Sequence, residues 1–362
     1  MKTAYLCRQC RQAYPEVGFP YVCPNCGGIY EVHSINDLEF DHRTRNQPGI
    51  WQYRASFGLN STAPITYLGE GNTPLIVGRL DRKQIAYKLE YLNPTGSFKD
   101  RGTAVMVSMM KDRGFNIAIE DSSGNAGASF AAYSIAFGIN AHIYIPESTS
   151  GPKRRQIEAY GAHVIPVPGP RENATKIALL AVEQQGIVYA SHAYQPFGLA
   201  GIATLAYELQ EQLGKVPGTI IVPVGHGSLL LGLMLGFSAL YQANKIPRMP
   251  VFVGVQPKAC SPLWAKWCNQ AYVPSEIETI AEGTKVKAPI RGDAILEMMA
   301  KDDLITTVTD SEIIAAKHQL AKQGMFVEPT SAMVQAALNN LHHKLVDPIV
   351  LILTGFGLKS NK

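Results

Sequence analysis

Between residues 85 and 353, short runs of apolar, β-branched residues alternate with helix-length segments. The runs read as strands over Ile85–Tyr91, Ile117–Asp121, Ala141–Ile145, Val164–Val167, Ile187–Ala190, Thr219–Val224, Val251–Val255, Leu304–Val308 and Ile349–Leu353. Helices are expected over Phe98–Arg113, Ala126–Phe137, Lys153–Tyr160, Asn173–Gln185, Leu199–Leu213, Leu229–Gln242, Ser311–Lys322 and Ser331–Lys344. Runs such as TIIVPV and PIVLIL are continuously apolar, the pattern of parallel strands covered by helices on both faces. The alternation predicts an α/β, doubly wound architecture with its site in the loops after the strands. At 362 residues the chain is long enough for two or three domains.

The start of the chain obeys a different rule. Four of the six cysteines form Cys7-x-x-Cys10 and Cys23-x-x-Cys26, separated by twelve residues. Each pair can turn two thiolates toward one ion, and four sulfurs suit tetrahedral zinc. Gly27 and Gly28 supply a tight turn, whereas Arg11 stands where such knuckles usually carry glycine. The alternatives are a disulfide pair or free thiols. A closed four-cysteine site has no open position for catalysis. Only Arg8 and Arg11 flank it, and a net charge of +4 without a basic stripe argues against nucleic acid. Cys260 and Cys268 are isolated and read as structural. The opening MKTAYLCRQC lacks a signal-peptide core. The greasiest stretch, Ser228–Leu240, is 13 residues long, against about 20 for a membrane span. A soluble, cytoplasmic protein is expected.

Five segments carry chemistry: LGEGNTPL (68–75), NPTGSFKDR (93–101), SSGNAG (122–127), VPVGHGSL (222–229) and LTGFGLK (353–359). Gly225-x-Gly227 lies between a strand and a helix, where backbone amides and the helix dipole suit a phosphate. Its spacing to Gly232 misses the dinucleotide fingerprint G-x-G-x-x-G. Ser123-Gly-Asn125 is a second strand-to-helix turn, equally readable as a helix cap. Lys99 opens a helix, where a cation opposes the dipole. A solvated surface lysine is the plain alternative.

In this order, together with EPTSA (328–332), the segments resemble the fold type II pyridoxal-phosphate (PLP) enzymes of the tryptophan synthase β-like group, and most of all its threonine synthase branch. The resemblance spans nearly the whole chain. It implies two doubly wound parallel-sheet domains behind a zinc ribbon. The ribbon is expected over 1–33 and a connecting arm over 34–70. The large cofactor-binding domain is expected over 71–100 and 176–362, and a small α/β domain over 101–175.

Carried over residue by residue, the resemblance makes Lys99 the lysine that joins the cofactor covalently and then serves as base for the α-proton. Asn125 corresponds to the residue facing the phenolic oxygen. Gly225, His226, Gly227, Ser228 and Leu229 correspond to the phosphate cup, with His226 lining it or shuttling protons. Thr354 corresponds to the hydroxyl facing the pyridine nitrogen. Ser122, Ser123 and Ala126 correspond to the turn that holds the substrate carboxylate. A neutral partner at the pyridine nitrogen favours elimination and replacement over transamination. The implied reaction is a PLP-dependent carbon–oxygen lyase step on a small amino acid, by a homodimer.

The pattern breaks after Ile187–Ala190. His192-Ala193 stand where the branch carries Asn-Ser, and Gly198 where it carries an arginine that grips the substrate's phosphate. Lys153, Arg154, Arg155 or His192 could replace that charge. Otherwise the chain handles a different side chain, as a dehydratase or another β-replacement enzyme does. A non-catalytic amino-acid-binding relative is the alternative from another class.

Overall fold

A computed structural model describes residues 3–35, 46–80 and 82–360. The elements run β1 (Ala4–Cys7), β2 (Tyr30–Ser34), β3 (Leu75–Leu80), β4 (Lys83–Lys88), α1 (Lys99–Asp112), β5 (Ile117–Glu120), α2 (Asn125–Ala136), β6 (Asn140–Pro146), α3 (Pro152–Ala159), β7 (His163–Val167), α4 (Arg171–Gln185) and β8 (Val188–Tyr189). They continue α5 (Phe197–Leu213), β9 (Thr219–Pro223), α6 (Ser228–Gln242), β10 (Val251–Pro257), α7 (Pro262–Trp267), α8 (Gly292–Met298), β11 (Leu304–Val308), α9 (Asp310–Lys322), α10 (Pro329–Leu341) and β12 (Ile349–Ile352). No helix of the described residues is long and apolar enough to cross a membrane.

The chain divides into two compact units, Met1–Gly71 with Lys99–Thr204, and Asn72–Phe98 with Leu205–Lys362. The first holds a parallel sheet of order β7-β6-β5-β8 and the β1-β2 hairpin. From β5 the chain steps outward to β6 and β7, then returns to β8 on the other side of β5. That reversal opens a crevice at the carboxyl ends of β5 and β8. The expected boundary at residue 176 falls inside α4. Because β8 pairs with β5, the first unit continues to Thr204. Residues 36–45 of the expected arm lie outside the described residues. Over Gly49–Phe57 the arm forms a 3-10 helix that buries Trp51 and Phe57.

The second unit is a six-stranded sheet of order β11-β10-β9-β12-β4-β3. Its reversal falls between β9, which leads on to β10 and β11, and β12 on its other side. The sheet is parallel except for β3, which pairs antiparallel with β4 through Leu75–Leu80 opposite Lys83–Lys88. This edge strand departs from the expected all-parallel sheet: Ile76 and Val77 are exposed, so no face alternation marks it. The core lies under α9 and α10, with Leu320, Val334 and Leu338 against Ile349 and Leu351. The expected strand Ile85–Tyr91 ends at Lys88, because Glu90–Leu92 turn into a 3-10 helix. Helix α10 ends at Leu341, short of the expected Lys344, and passes into a 3-10 turn.

Candidate active site

In the first unit, Lys99 is the opening residue of α1 and Asn125 that of α2. The two helices are tied by the Ser129 hydroxyl, one turn past Asn125, which donates at 2.6 Å to Oδ1 of Asp100, the neighbour of Lys99. Between β5 and α2, the Ser122 hydroxyl accepts from the Gly124 N–H at 3.2 Å. Gly127 lets α2 approach this turn: a Cβ there would lie 1.8 Å from the Ser122 carbonyl oxygen. Gly127→Ala is expected to cost about 1–3 kcal/mol, read by urea unfolding, with the turn displaced.

Lys99 is half-buried, and desolvation pulls its ammonium down to about 8. The Arg171 charge pushes the same way, and the Glu120 carboxylate opposes both. Glu120 closes β5 and is fully buried. Both of its oxygens hold His192, Oε2 from the backbone N–H at 3.1 Å and Oε1 at 2.9 Å from Nδ1. Burial raises the Glu120 carboxyl to about 7 and holds His192 well below its usual value. Asp121 next to it accepts from the Thr175 hydroxyl at 2.5 Å and lies 3.9 Å from Arg171.

The segment carrying His192 rests on the N-terminal cysteine module. The Phe197 ring packs against Tyr5 and Tyr14, with ring centroids 4.8 and 4.7 Å away. Gln195 Oε1 accepts from the Tyr14 hydroxyl at 3.3 Å, and Tyr21 packs edge-on against Tyr194. Arg113 donates to the carbonyls of Pro15 and Gly18 at 3.0 and 2.8 Å. Within the module, the sulfurs of Cys7, Cys10, Cys23 and Cys26 all lie within 4.8 Å of one another, and all are free thiols. Cys7 and Cys26 are 3.5 Å apart, Cys10 and Cys23 3.7 Å. A tetrahedron with sulfurs about 2.3 Å from its centre has edges of about 3.8 Å, whereas a disulfide measures about 2.05 Å. Arg11 occupies the left-handed conformation a glycine would favour, with φ 63°, and its guanidinium lies 2.9 Å from His33 Nδ1.

In the second unit, the segment Gly225–Leu229 follows β9 and Thr354 follows β12, its neighbour in the sheet. Gly227 has φ +98° and turns the chain into α6, so the first-turn amides face outward without helical acceptors. A Cβ at Gly227 would meet Ile295 Cδ1 at 2.6 Å. The Ser228 hydroxyl is buried and has no hydrogen-bond partner within the described residues. This orphaned donor beside helix-end amides fits an anionic phosphate. The His226 carbonyl accepts from the Arg291 N–H at 2.9 Å, which holds the loop. Thr354 is buried, with its hydroxyl 3.0 Å from that of Ser331. Ser331 in turn accepts from the Gly355 N–H at 2.8 Å. The Thr354 carbonyl accepts from the Phe98 N–H at 3.1 Å, which fixes the residue preceding Lys99.

Sequence reasoning placed Ser331 only within EPTSA and missed Glu120 as the partner of His192, 72 positions away. Gly198 lies in the first turn of α5, where a Cβ would meet Gly102 Cα at 3.5 Å. Of the cations weighed as replacements for an arginine there, Arg154 donates to Glu158 at 2.8 Å and to the Thr149 carbonyl at 2.9 Å.

A lysine amine pulled down to about 8 in the first unit and, in the second, a strand-to-helix turn with an orphaned Ser228 hydroxyl beside helix-end amides are each features of a cofactor enzyme. Residues 66–355 match the family described as "Pyridoxal-phosphate dependent enzyme". Threonine synthase of Methanocaldococcus jannaschii is 32% identical, over 98% of this chain and 92% of its own. That of Halalkalibacterium halodurans is 33% identical, over 86% and 89%. Among solved structures, threonine deaminase isoform 2 of Solanum lycopersicum superposes with a TM-score of 0.71 at 22% identity, covering 86% of this chain and 87% of that one. The threonine deaminase of T.th. gives 0.67 at 26%, covering 80% and 92%. The chain therefore belongs to the pyridoxal-phosphate-dependent enzymes. Within them it is a threonine synthase-like lyase of fold type II.

Proposed function

We propose that this enzyme cleaves a carbon–oxygen bond in the side chain of a small amino acid, and that its reaction is O-phosphohomoserine plus water to threonine plus phosphate. The observation that carries this reading is the Lys99 amine, which desolvation pulls down to about 8, at the start of a helix tied to α2 through Asp100 and Ser129. The names of the relatives point to threonine as the product. Lys99 would hold the cofactor's aldehyde, and Gly225, His226, Gly227, Ser228 and Leu229 its phosphate. Asn125 would face the phenolic oxygen and Thr354 the ring nitrogen. When bound, the cofactor withdraws electrons and so acidifies the substrate's α-hydrogen.

The chain's own groups do the rest. Ser122, Ser123 and Ala126 would orient the substrate carboxylate at the start of α2. The Lys99 amine takes up the α-proton once substrate has displaced it. Ser331 holds the Thr354 hydroxyl, so no ionised side chain is supplied to the ring nitrogen from that residue. This favours loss or replacement of a leaving group over transamination.

A second reading, an altered side-chain specificity, is favoured by Gly198, which has no side chain to grip a phosphate. One assay separates the two. Phosphate and threonine formed from O-phosphohomoserine support the first. Keto acid from L-serine or L-threonine without phosphate release supports the second. Absence of deuterium exchange at the α-carbon with all three would leave only a non-catalytic amino-acid binder.

We also propose a structural zinc on Cys7, Cys10, Cys23 and Cys26, a homodimeric assembly and a cytoplasmic location, where the thiols stay reduced. One zinc per chain is expected by atomic emission. Removing it with a chelator is expected to lower the melting temperature. It also loosens the packing of Tyr5 and Tyr14 on Phe197, read as faster amide exchange over residues 191–198.

A further inference from the structure

The first sheet reverses direction between β5 and β8, and the two strands end in Glu120 and, just beyond β8, His192. His192 turns its backbone N–H and its Nδ1 to the two oxygens of one fully buried carboxylate. This bidentate hold fixes the ring plane and places Nε2 on the opposite edge. The His192 side chain keeps 16% of its surface exposed, whereas that of Glu120 keeps none. The pair adjoins the turn that begins at Ser122, and its charges act on Lys99. A carboxylate–imidazole pair of this kind holds and passes protons.

We propose that His192, positioned by Glu120, is the proton donor to the side-chain oxygen that leaves the substrate. This rests on the reading of Lys99 as the cofactor lysine. As the carbon–oxygen bond breaks, its electron pair goes to oxygen, and oxygen takes the proton from His192 Nε2. Nδ1 takes the Glu120 proton in the same passage, which leaves a carboxylate hydrogen-bonded to the neutral ring. The α-proton taken by Lys99 returns to Glu120 through water, so the cycle closes with no other reactant. A hydroxyl must leave as water and needs this proton most. A phosphate leaves as an anion and needs it least.

The groups acting on the pair are Lys99 at the start of α1, Asp121 in the β5–α2 turn and Arg171 in α4. Glu120 loses its proton near pH 7, while His192 stays neutral there. The donor form is the protonated pair, so product release falls as pH rises through about 7.

The test uses PLP-loaded wild type, His192→Asn and Glu120→Gln with L-threonine, L-serine and O-phospho-L-homoserine. His192→Asn is expected to slow release of product from the hydroxyl substrates about 10²–10³-fold. Deuterium exchange at the α-carbon should stay within about twofold of wild type. Glu120→Gln is expected to move the alkaline limb of product release from near pH 7 to a lower pH. It should also change the tautomer of His192, read from the ¹⁵N shifts of its ring. Equal loss of exchange and release in His192→Asn, an unmoved limb, or a wild type that exchanges but expels no oxygen overturns the proposal. A wild type that neither colours with PLP nor exchanges the α-hydrogen removes the Lys99 reading itself, and this proposal with it.

Discussion

Lys99→Ala is expected to lower product formation about 10³-fold or more and to abolish deuterium exchange at the substrate α-carbon. On the proposed reading, the loss combines two roles in one side chain, the covalent hold on the cofactor and uptake of the α-proton. Lys99→Arg should fare no better, because a guanidinium stays protonated and offers no free amine. The pH dependence follows from the lowered value of this amine. Desolvation leaves it about half free near pH 8, against 10.5 for an ordinary lysine. The rate at which cofactor-free protein takes up the aldehyde should therefore rise about tenfold per pH unit below 8 and flatten above it. Removing the opposing charge with Glu120→Gln should move that midpoint to lower pH. Stopped-flow absorbance at several pH values measures both. A midpoint near 10.5 in wild type would show that burial does not activate the amine.

Most of the scaffold was legible because both sheets are built mainly from parallel strands covered on two sides, which makes apolar runs such as Thr219–Val224 unambiguous. The strand-to-helix turns were legible for a different reason. Gly127 and Gly227 meet backbone demands that only glycine satisfies, so the need is written into the sequence as residue type. Strand β3 was not legible, since an exposed antiparallel edge buries neither face consistently. Nor were the polar partnerships. Glu120 and His192 are joined by the return of β8 to β5, a topological event with no local signal. Glu70, in the GEGNTPL motif, is likewise held by residues far along the chain. It accepts from the Trp51 indole at 2.9 Å and the Tyr133 hydroxyl at 2.6 Å. The motif stands among the segments singled out for chemistry, and its acid anchors the polypeptide. Arg11 shows the converse: the expected glycine geometry is present although the residue is an arginine.

Lys88→Met is expected to destabilise the enzyme by about 3–5 kcal/mol, a loss that exceeds that of any surface ion pair. Lys88 is fully buried at the end of β4. Its ammonium donates to Glu208 Oε2 at 2.8 Å, the Thr73 carbonyl at 2.7 Å and Gln212 Oε1 at 3.0 Å. Glu208 Oε1 accepts in turn from the Asn72 N–H at 2.9 Å. Thr73 is fixed again by its hydroxyl, which donates to Glu90 at 2.5 Å. One charge pair thus holds the second half of the 68–75 segment to α5 within the second unit. Removing the lysine strands a carboxylate and the Thr73 carbonyl in a dry interior, where desolvation dominates the cost. At about 2–4 °C per kcal/mol for a unit of this size, the melting temperature should fall by about 10 °C. The double variant Lys88→Met, Glu208→Leu removes both charges, and so should recover a large part of the loss. Thermal unfolding of the three proteins reads the result. A double variant as unstable as Lys88→Met would place the cost in the lost hold on Thr73 and Asn72, not in the buried charge.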